Sequence, residues 1–317
     1  MSHTPKSRRA LIDNAARLLA EGLHPDHARR DAEELLLHLL RKDARERNRA
    51  WLFANLKSSI SDQLETEFLS LAARRAAGEP IQYITGEAEF CRMPFRVTPD
   101  VLIPRPETEL LVEKVSHLVP VFMPQSIKPL GFRLRVGNLR IGEDKNERLP
   151  RILDVGTGSG AIAVSIAHNW EDAKITATDL SPAALSVARA NAEQLGFAEN
   201  IRFLQGDLLA PVAQEQFDII ASNPPYVPES DRPTLSVEVR DHEPSLALFA
   251  GNDGLDIYRR LIPQAFACLV PRGYLVLEIG YNQSEAIHDL LAASGFHNIE
   301  FLPDLQGIPR VASAQHP

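Results

Sequence analysis

The apolar positions of this chain change their period along its length. From Ser7 to Ala77 they recur at helical spacing: Leu11, Ile12, Ala15, Leu18 and Leu19 form one stripe, and Leu35, Leu36, Leu39 and Leu40 another. Trp51, Leu52 and Leu56, then Leu64, Phe68, Leu69 and Ala72, continue the pattern. The spacing predicts an all-helical domain of four or five short helices over residues 1–77. Gly78 and Pro80 break it, and β-branched and aromatic residues from Gln82 to Val97 around Gly86 predict a hairpin linker spanning 78–101.

Residues 102–317 read as an α/β domain. Pro104-Arg105-Pro106-Glu107-Thr108-Glu109 opens a helix expected to reach Val119, with prolines at its entry and carboxylates in its first turn. That start signal accounts for Pro106 and Glu107 but not for Arg105. From Arg151 onward, strands at Ile152 to Val155, Ile175 to Thr178, Ile201 to Leu204, Phe217 to Ala221 and Tyr274 to Ile279 alternate with helices. Those are Ala161 to Asn169, Pro182 to Leu195, Leu255 to Leu269 and Asn282 to Ser294. The pattern predicts a doubly wound, mainly parallel sheet whose ligand lies at the carboxyl ends of its strands.

The segment 121–150 carries no helical stripe and reads as an insertion. A mobile insertion is the favoured reading of it; the alternative is a hairpin turning at Gly137-Asn138, which would set Arg135 opposite Arg140, a mildly unfavourable pair of like charges unless an anion or acidic partner sits there.

Charge and cysteine usage narrow the function classes. Thirty-four basic against forty-two acidic side chains give a net charge of -8, which opposes nonspecific attraction to a phosphate backbone, so no direct nucleic-acid substrate is expected. Cys91 and Cys268 stand far apart, so neither a disulfide framework nor a thiolate zinc site is indicated. His24 and His27 are one helical turn apart, but no third ligand accompanies them. No run approaches the roughly 18 to 20 apolar residues of a membrane span, and Met1 to Ala10 lead into no signal-peptide core. A cytoplasmic monomer is the expectation.

The candidate chemistry sits at strand ends. Asn223-Pro224-Pro225-Tyr226 follows the strand Phe217 to Ser222, and its prolines cannot donate to a sheet ladder. The Asn223 side-chain oxygen and the proline carbonyls make a row of acceptors beside the Tyr226 ring, suited to fixing a planar NH2 group. Asp154-Val155-Gly156-Thr157-Gly158-Ser159-Gly160 joins a strand to a helix, where glycines let the backbone approach a ligand. With Ala161 the loop also satisfies the loose dinucleotide fingerprint, and Asp179, at the end of the second strand, suits the ribose hydroxyls of either a nicotinamide or an S-adenosyl cofactor. The alternative for Asp179 is an N-cap for the helix entered through Ser181-Pro182. Asn-Pro-Pro-Tyr has a use in holding an amino nitrogen and none in hydride transfer, and Asp154 suits a cationic methionine end. Together they favour S-adenosylmethionine.

These residues resemble those of the bacterial release-factor glutamine methyltransferases, which methylate the glutamine amide in the Gly-Gly-Gln loop of class 1 peptide-chain release factors. The resemblance includes Pro104 to Glu109, Asp154 to Gly160, Asn223 to Tyr226, Glu243-Pro244, Asp253-Gly254-Leu255 and Leu277-Glu278-Ile279-Gly280. It implies a class I methyltransferase fold in which Asp154, Gly156, Thr157, Gly158, Ser159, Gly160, Asp179 and Asn223 hold S-adenosylmethionine, with Leu208 beside the adenine. It further implies that Asn223 and the Pro224 carbonyl hold the glutamine amide, with Pro225 and Tyr226 against it, and that the helical domain grips the release factor. The segment 121–150 is longer than the family pattern, and Leu208 stands where an aromatic residue is often found. Two rival readings are an adenine-amino nucleic-acid methyltransferase, since Asn-Pro-Pro-Tyr occurs there too, and a noncatalytic module that binds the translation machinery.

Overall fold

In the computed structural model of the chain, residues 7–23, 25–42, 44, 46–123 and 148–317 are described. His24, the alternative Gly137-Asn138 turn, Arg135, Arg140 and most of the 121–150 segment lie outside them. The chain divides into two compact units, Met1–Glu87 with Thr234–Glu243, and Ala88–Pro233 with Pro244–Pro317.

The first unit contains helices at Arg8–Ala20, Ala28–Arg41, Arg49–Ala54, Asp62–Ala76 and Ile81–Thr85, with a short helix Val237–His242 from much later in the chain. Four starts are capped by side-chain oxygens: Ser7 accepts from the Ala10 N–H, Asn48 from Trp51, Ser61 from Leu64 and Ser236 from Val239. The predicted stripes close on one another, burying Leu11, Ile12, Leu35, Leu36, Leu52, Phe68 and Ala72. One ion pair is buried beside this core. Arg75 donates to Asp31 across 2.6 Å and also to Glu238 of the late helix.

The second unit is built on a seven-stranded sheet beside a hairpin of β1 (Glu87–Phe90) and β2 (Met93–Arg96). The sheet comprises β3 (Arg151–Val155), β4 (Lys174–Asp179), β5 (Ile201–Gln205), β6 (Phe217–Ser222), β7 (Leu269–Glu278), β8 (His297–Pro303) and β9 (Pro309–Gln315). Their order is β5-β4-β3-β6-β7-β9-β8, parallel from β5 to β7 and antiparallel across the last two pairings.

Alternation along the strands explains why both faces are covered. Ile152, Ile219, Ala221 and Val276 face one core, shared with the helices Thr108–Phe122, Ala161–Asn169 and Pro182–Leu195. Leu153, Val155, Ile220, Leu275 and Leu277 face the other, shared with Asp256–Cys268 and Ser284–Ala293.

Register fixes the site. Val155 pairs with Thr178 on one side and Ser222 on the other, and Ser222 pairs with Leu277. The next residue on each strand is therefore Gly156, Asp179, Asn223 or Glu278, so all four stand in one row along the carboxyl edge. The order reverses around β3, which makes this edge the switch point where open α/β sheets bind ligands.

Some expectations differ from the structure. Gln82, assigned to the hairpin, lies in the helix Ile81–Thr85, and the helix from Thr108 runs on to Phe122. β7 starts at Leu269 rather than Tyr274, while β8 and β9 were not expected from the sequence.

Candidate active site

The glycine loop is held from below and from both sides. The Gly156 and Thr157 N–H groups both donate to the Thr178 carbonyl, at 2.8 and 2.9 Å. Asp154 has no exposed surface, and its Oδ2 accepts from the Thr157 hydroxyl at 2.7 Å and the Ala163 N–H at 3.2 Å. Burial pushes its carboxyl up to about 7, against the pull of those two donors. Its other oxygen has no hydrogen-bond partner among the described residues. Asp154 thus shapes the loop rather than reaching into open space.

Asn191, fully buried, supplies a brace that the sequence reading did not single out. Its amide donates to the Ser159 carbonyl at 2.8 Å and exchanges hydrogen bonds with the Arg96 backbone. Gly160 packs against Ala188: an added Cβ would stand 3.1 Å from the alanine methyl, at a φ of +81°.

Space and acceptors for a ligand lie along this edge. Nothing stands within 4 Å of where a Cβ on Gly156 or Gly158 would be. Asp179 ends β4 and receives the Gly158 N–H on Oδ2 and the Ser181 N–H on Oδ1, both at 2.8 Å. The carboxylate keeps acceptor capacity for a further donor. The cap of the following helix is the Ser181 hydroxyl, which accepts from Ala184. Leu208 is half-buried at a φ of +50°, and its carbonyl accepts from the Thr178 hydroxyl.

Beyond β6 the chain turns through Asn223, Pro224, Pro225 and Tyr226; Pro224 is buried and the others are half-buried. The Asn223 Nδ2 donates to Thr108 Oγ1 at 3.1 Å, and the Thr108 hydroxyl donates to Glu278 Oε2 at 2.5 Å. Tyr226 donates its hydroxyl to the other oxygen of Glu278 at 3.2 Å. Glu278 is 1% exposed, and burial pushes its carboxyl up to about 7. The Tyr226 phenol is pushed above its ordinary value by burial and by Glu278, with Arg310 and Arg105 opposing. Arg105, unexplained by helix-start chemistry, thus acts on the electrostatics of this corner.

The backbone of Tyr226 is fixed separately. Gln283 donates from Nε2 to the Tyr226 carbonyl at 3.0 Å and accepts the Gly280 N–H on its oxygen at 2.9 Å. Gly254, at a φ of +75°, passes so close that an added Cβ would stand 2.2 Å from the Tyr226 carbonyl oxygen. The sequence segments Asp253-Gly254-Leu255 and Leu277 to Gly280 therefore support Tyr226. Gln283 and the roles of Thr108 and Glu278 escaped the sequence reading, because their partners lie far away along the chain.

Residues 10–86 match the PrmC N-terminal domain family and residues 141–238 the Methyltransferase small domain family. A release factor glutamine methyltransferase of Moorella thermoacetica is 42% identical over 96% of both chains. One of Bradyrhizobium diazoefficiens is 40% identical over 96% of this chain and 94% of its own. In architecture, the solved hMettl16 catalytic domain in complex with the MAT2A 3'UTR hairpin 1 superposes with a TM-score of 0.50. It is 15% identical and covers 83% of this chain and 84% of that one, a likeness of fold alone. Sheet order, glycine loop and these matches define the class: the chain is a methyltransferase. It belongs to the release factor glutamine methyltransferase family.

Proposed function

We propose that this enzyme transfers the methyl group of S-adenosylmethionine to the side-chain amide nitrogen of the glutamine in the Gly-Gly-Gln motif of class 1 peptide-chain release factors, in the cytoplasm. The observation that carries the reading is the Asn223 side chain, tied through its nitrogen so that its oxygen is left to accept. An acceptor pair formed by that oxygen and the Pro224 carbonyl matches the two hydrogens of a planar NH2.

The residues fit the cofactor. The open space at Gly156 and Gly158 and the remaining acceptor capacity of Asp179 suit its aminoacyl and ribose parts. Thr157, Ser159 and Gly160 shape the loop, Asp154 holds that shape, and Leu208 gives an apolar wall for the adenine. When bound, the cofactor supplies an electrophilic sulfonium methyl.

An amide nitrogen is a poor nucleophile, so orientation must supply much of the rate, and well-aligned reactants reach effective molarities of about 10⁵ M or more. Asn223 and Pro224 hold the nitrogen in place, and Tyr226 forms a wall beside it. The helical unit, matched by the PrmC N-terminal domain, holds the release factor.

The test is transfer of labelled methyl from S-adenosylmethionine to a purified release factor and to adenine-containing oligonucleotides in parallel. Label on the protein alone is expected. Label on the oligonucleotide alone would overturn the reading in favour of an adenine-amino enzyme.

A further inference from the structure

We infer that Thr108 and Glu278 are positioning residues for substrate selection: their hydrogen bonds fix the Asn223 side chain with its oxygen, and not its nitrogen, turned to the amide site. The inference rests on the substrate reading above and adds what enforces it.

Direction passes along the chain of bonds one group at a time. An ionised carboxylate only accepts, so Glu278 takes the single hydrogen of the Thr108 hydroxyl on one oxygen and that of Tyr226 on the other. With its hydrogen committed, Thr108 can only accept from Asn223. The amide must therefore present Nδ2 to Thr108, as found. Turning Asn223 over would set its oxygen against an oxygen with no hydrogen to give, an unpaired contact that costs stability.

The hydrogen bond that the Asn223 side chain makes among the described residues runs through its nitrogen, which leaves the oxygen as the end turned to the amide site. One buried carboxylate thus orients both polar ends of Asn223 to Tyr226. It sits at the end of β7, one strand from β6, and Thr108 reaches it from the first residue of its helix. The backbone oxygen of Glu278 is in turn held by the Tyr258 hydroxyl at 2.6 Å. A site that can only accept favours a glutamine amide and disfavours a glutamate carboxylate.

The test uses the full-length enzyme with S-adenosylhomocysteine and a full-length release factor carrying either glutamine or glutamate in the Gly-Gly-Gln position. Affinity for the two, with kcat and KM for the glutamine form, would be measured for the wild type, Thr108→Val and Thr108→Ser. The wild type is expected to prefer glutamine. Thr108→Val should reduce that preference about tenfold and lower kcat by a similar factor. Thr108→Ser, which keeps the hydroxyl, should restore both, and cofactor affinity should stay level throughout. Unchanged preference and kcat in Thr108→Val, or a serine variant as damaged as the valine one, would overturn the inference. A wild type that binds with the preference but leaves the factor unmethylated would refute the proposed activity and leave the relay standing.

Discussion

The side-chain nitrogen of Asn223 donates to the hydroxyl of Thr108 across 3.1 Å, joining residues 115 positions apart. Thr108 opens a helix and Asn223 ends a strand. Thr108 is buried and Asn223 half-buried, and Asn223 gains its direction from Thr108, whose own hydrogen is committed to Glu278.

Asn223→Ala removes the acceptor on which the proposed function depends. Turnover should fall by roughly 10² to 10³, in line with losing a group that orients a transition state. Calorimetry should find the cofactor still bound. Near-normal turnover would take Asn223 out of the reaction.

Two buried carboxylates give the enzyme opposite pH trends in stability and rate. Asp154 and Glu278 are both raised by burial to about 7, from 3.8 and 4.5. A raised carboxyl favours the folded state most below its unfolded value, so this stabilisation is full below about pH 4 and is lost as pH rises through about 7. The relay needs Glu278 ionised, so kcat should rise as pH passes through about 7. Glu107 raises this carboxyl further and Arg310 lowers it. Glu278→Gln should flatten the ascending limb of kcat, whereas Asp154→Asn should leave the limb in place. Survival of the limb in Glu278→Gln would assign it to another group.

Gly254→Ala would place a methyl against the Tyr226 carbonyl, at a φ where a side chain is strained. A loss of about 1–3 kcal/mol is expected from such overpacking, measured by urea unfolding. The displaced Tyr226 should lower kcat while cofactor affinity holds.

Arg75 and Arg74 are adjacent arginines with different surroundings. Arg75→Ala leaves Asp31 buried without its cation, which should destabilise the helical unit by about 3–5 kcal/mol. Arg74→Ala removes only a half-exposed pair with Glu79 and should cost less than about 1 kcal/mol. Thermal unfolding followed by helical circular dichroism would separate the two.

The fold was legible where local chemistry and period agree. Pro182 to Leu195 is framed by a proline at its start and Gly196 at its end, and the structure begins and ends that helix at the same residues. The β3, β4 and β6 strands were legible as apolar runs, because central parallel strands are buried on both faces. The last two strands were not. His297–Pro303 is a half-exposed edge whose polar residues hide the alternation, and Pro309–Gln315 is rich in small residues that carry little β signal. Within the site, Asn223 and the glycine loop announce themselves by composition. Asn191, Glu278 and Gln283 are single polar residues in ordinary elements, and only the register of the sheet and the packing of helices reveal what they touch.

Mass spectrometry of a release factor incubated with this enzyme and S-adenosylmethionine tests the central claim most directly. A copy whose Gly-Gly-Gln glutamine is changed to alanine serves as the companion sample. One added methyl on that glutamine, absent from the changed copy, is the predicted result. A methyl elsewhere on the factor, or none on either copy while the cofactor binds, would contradict it.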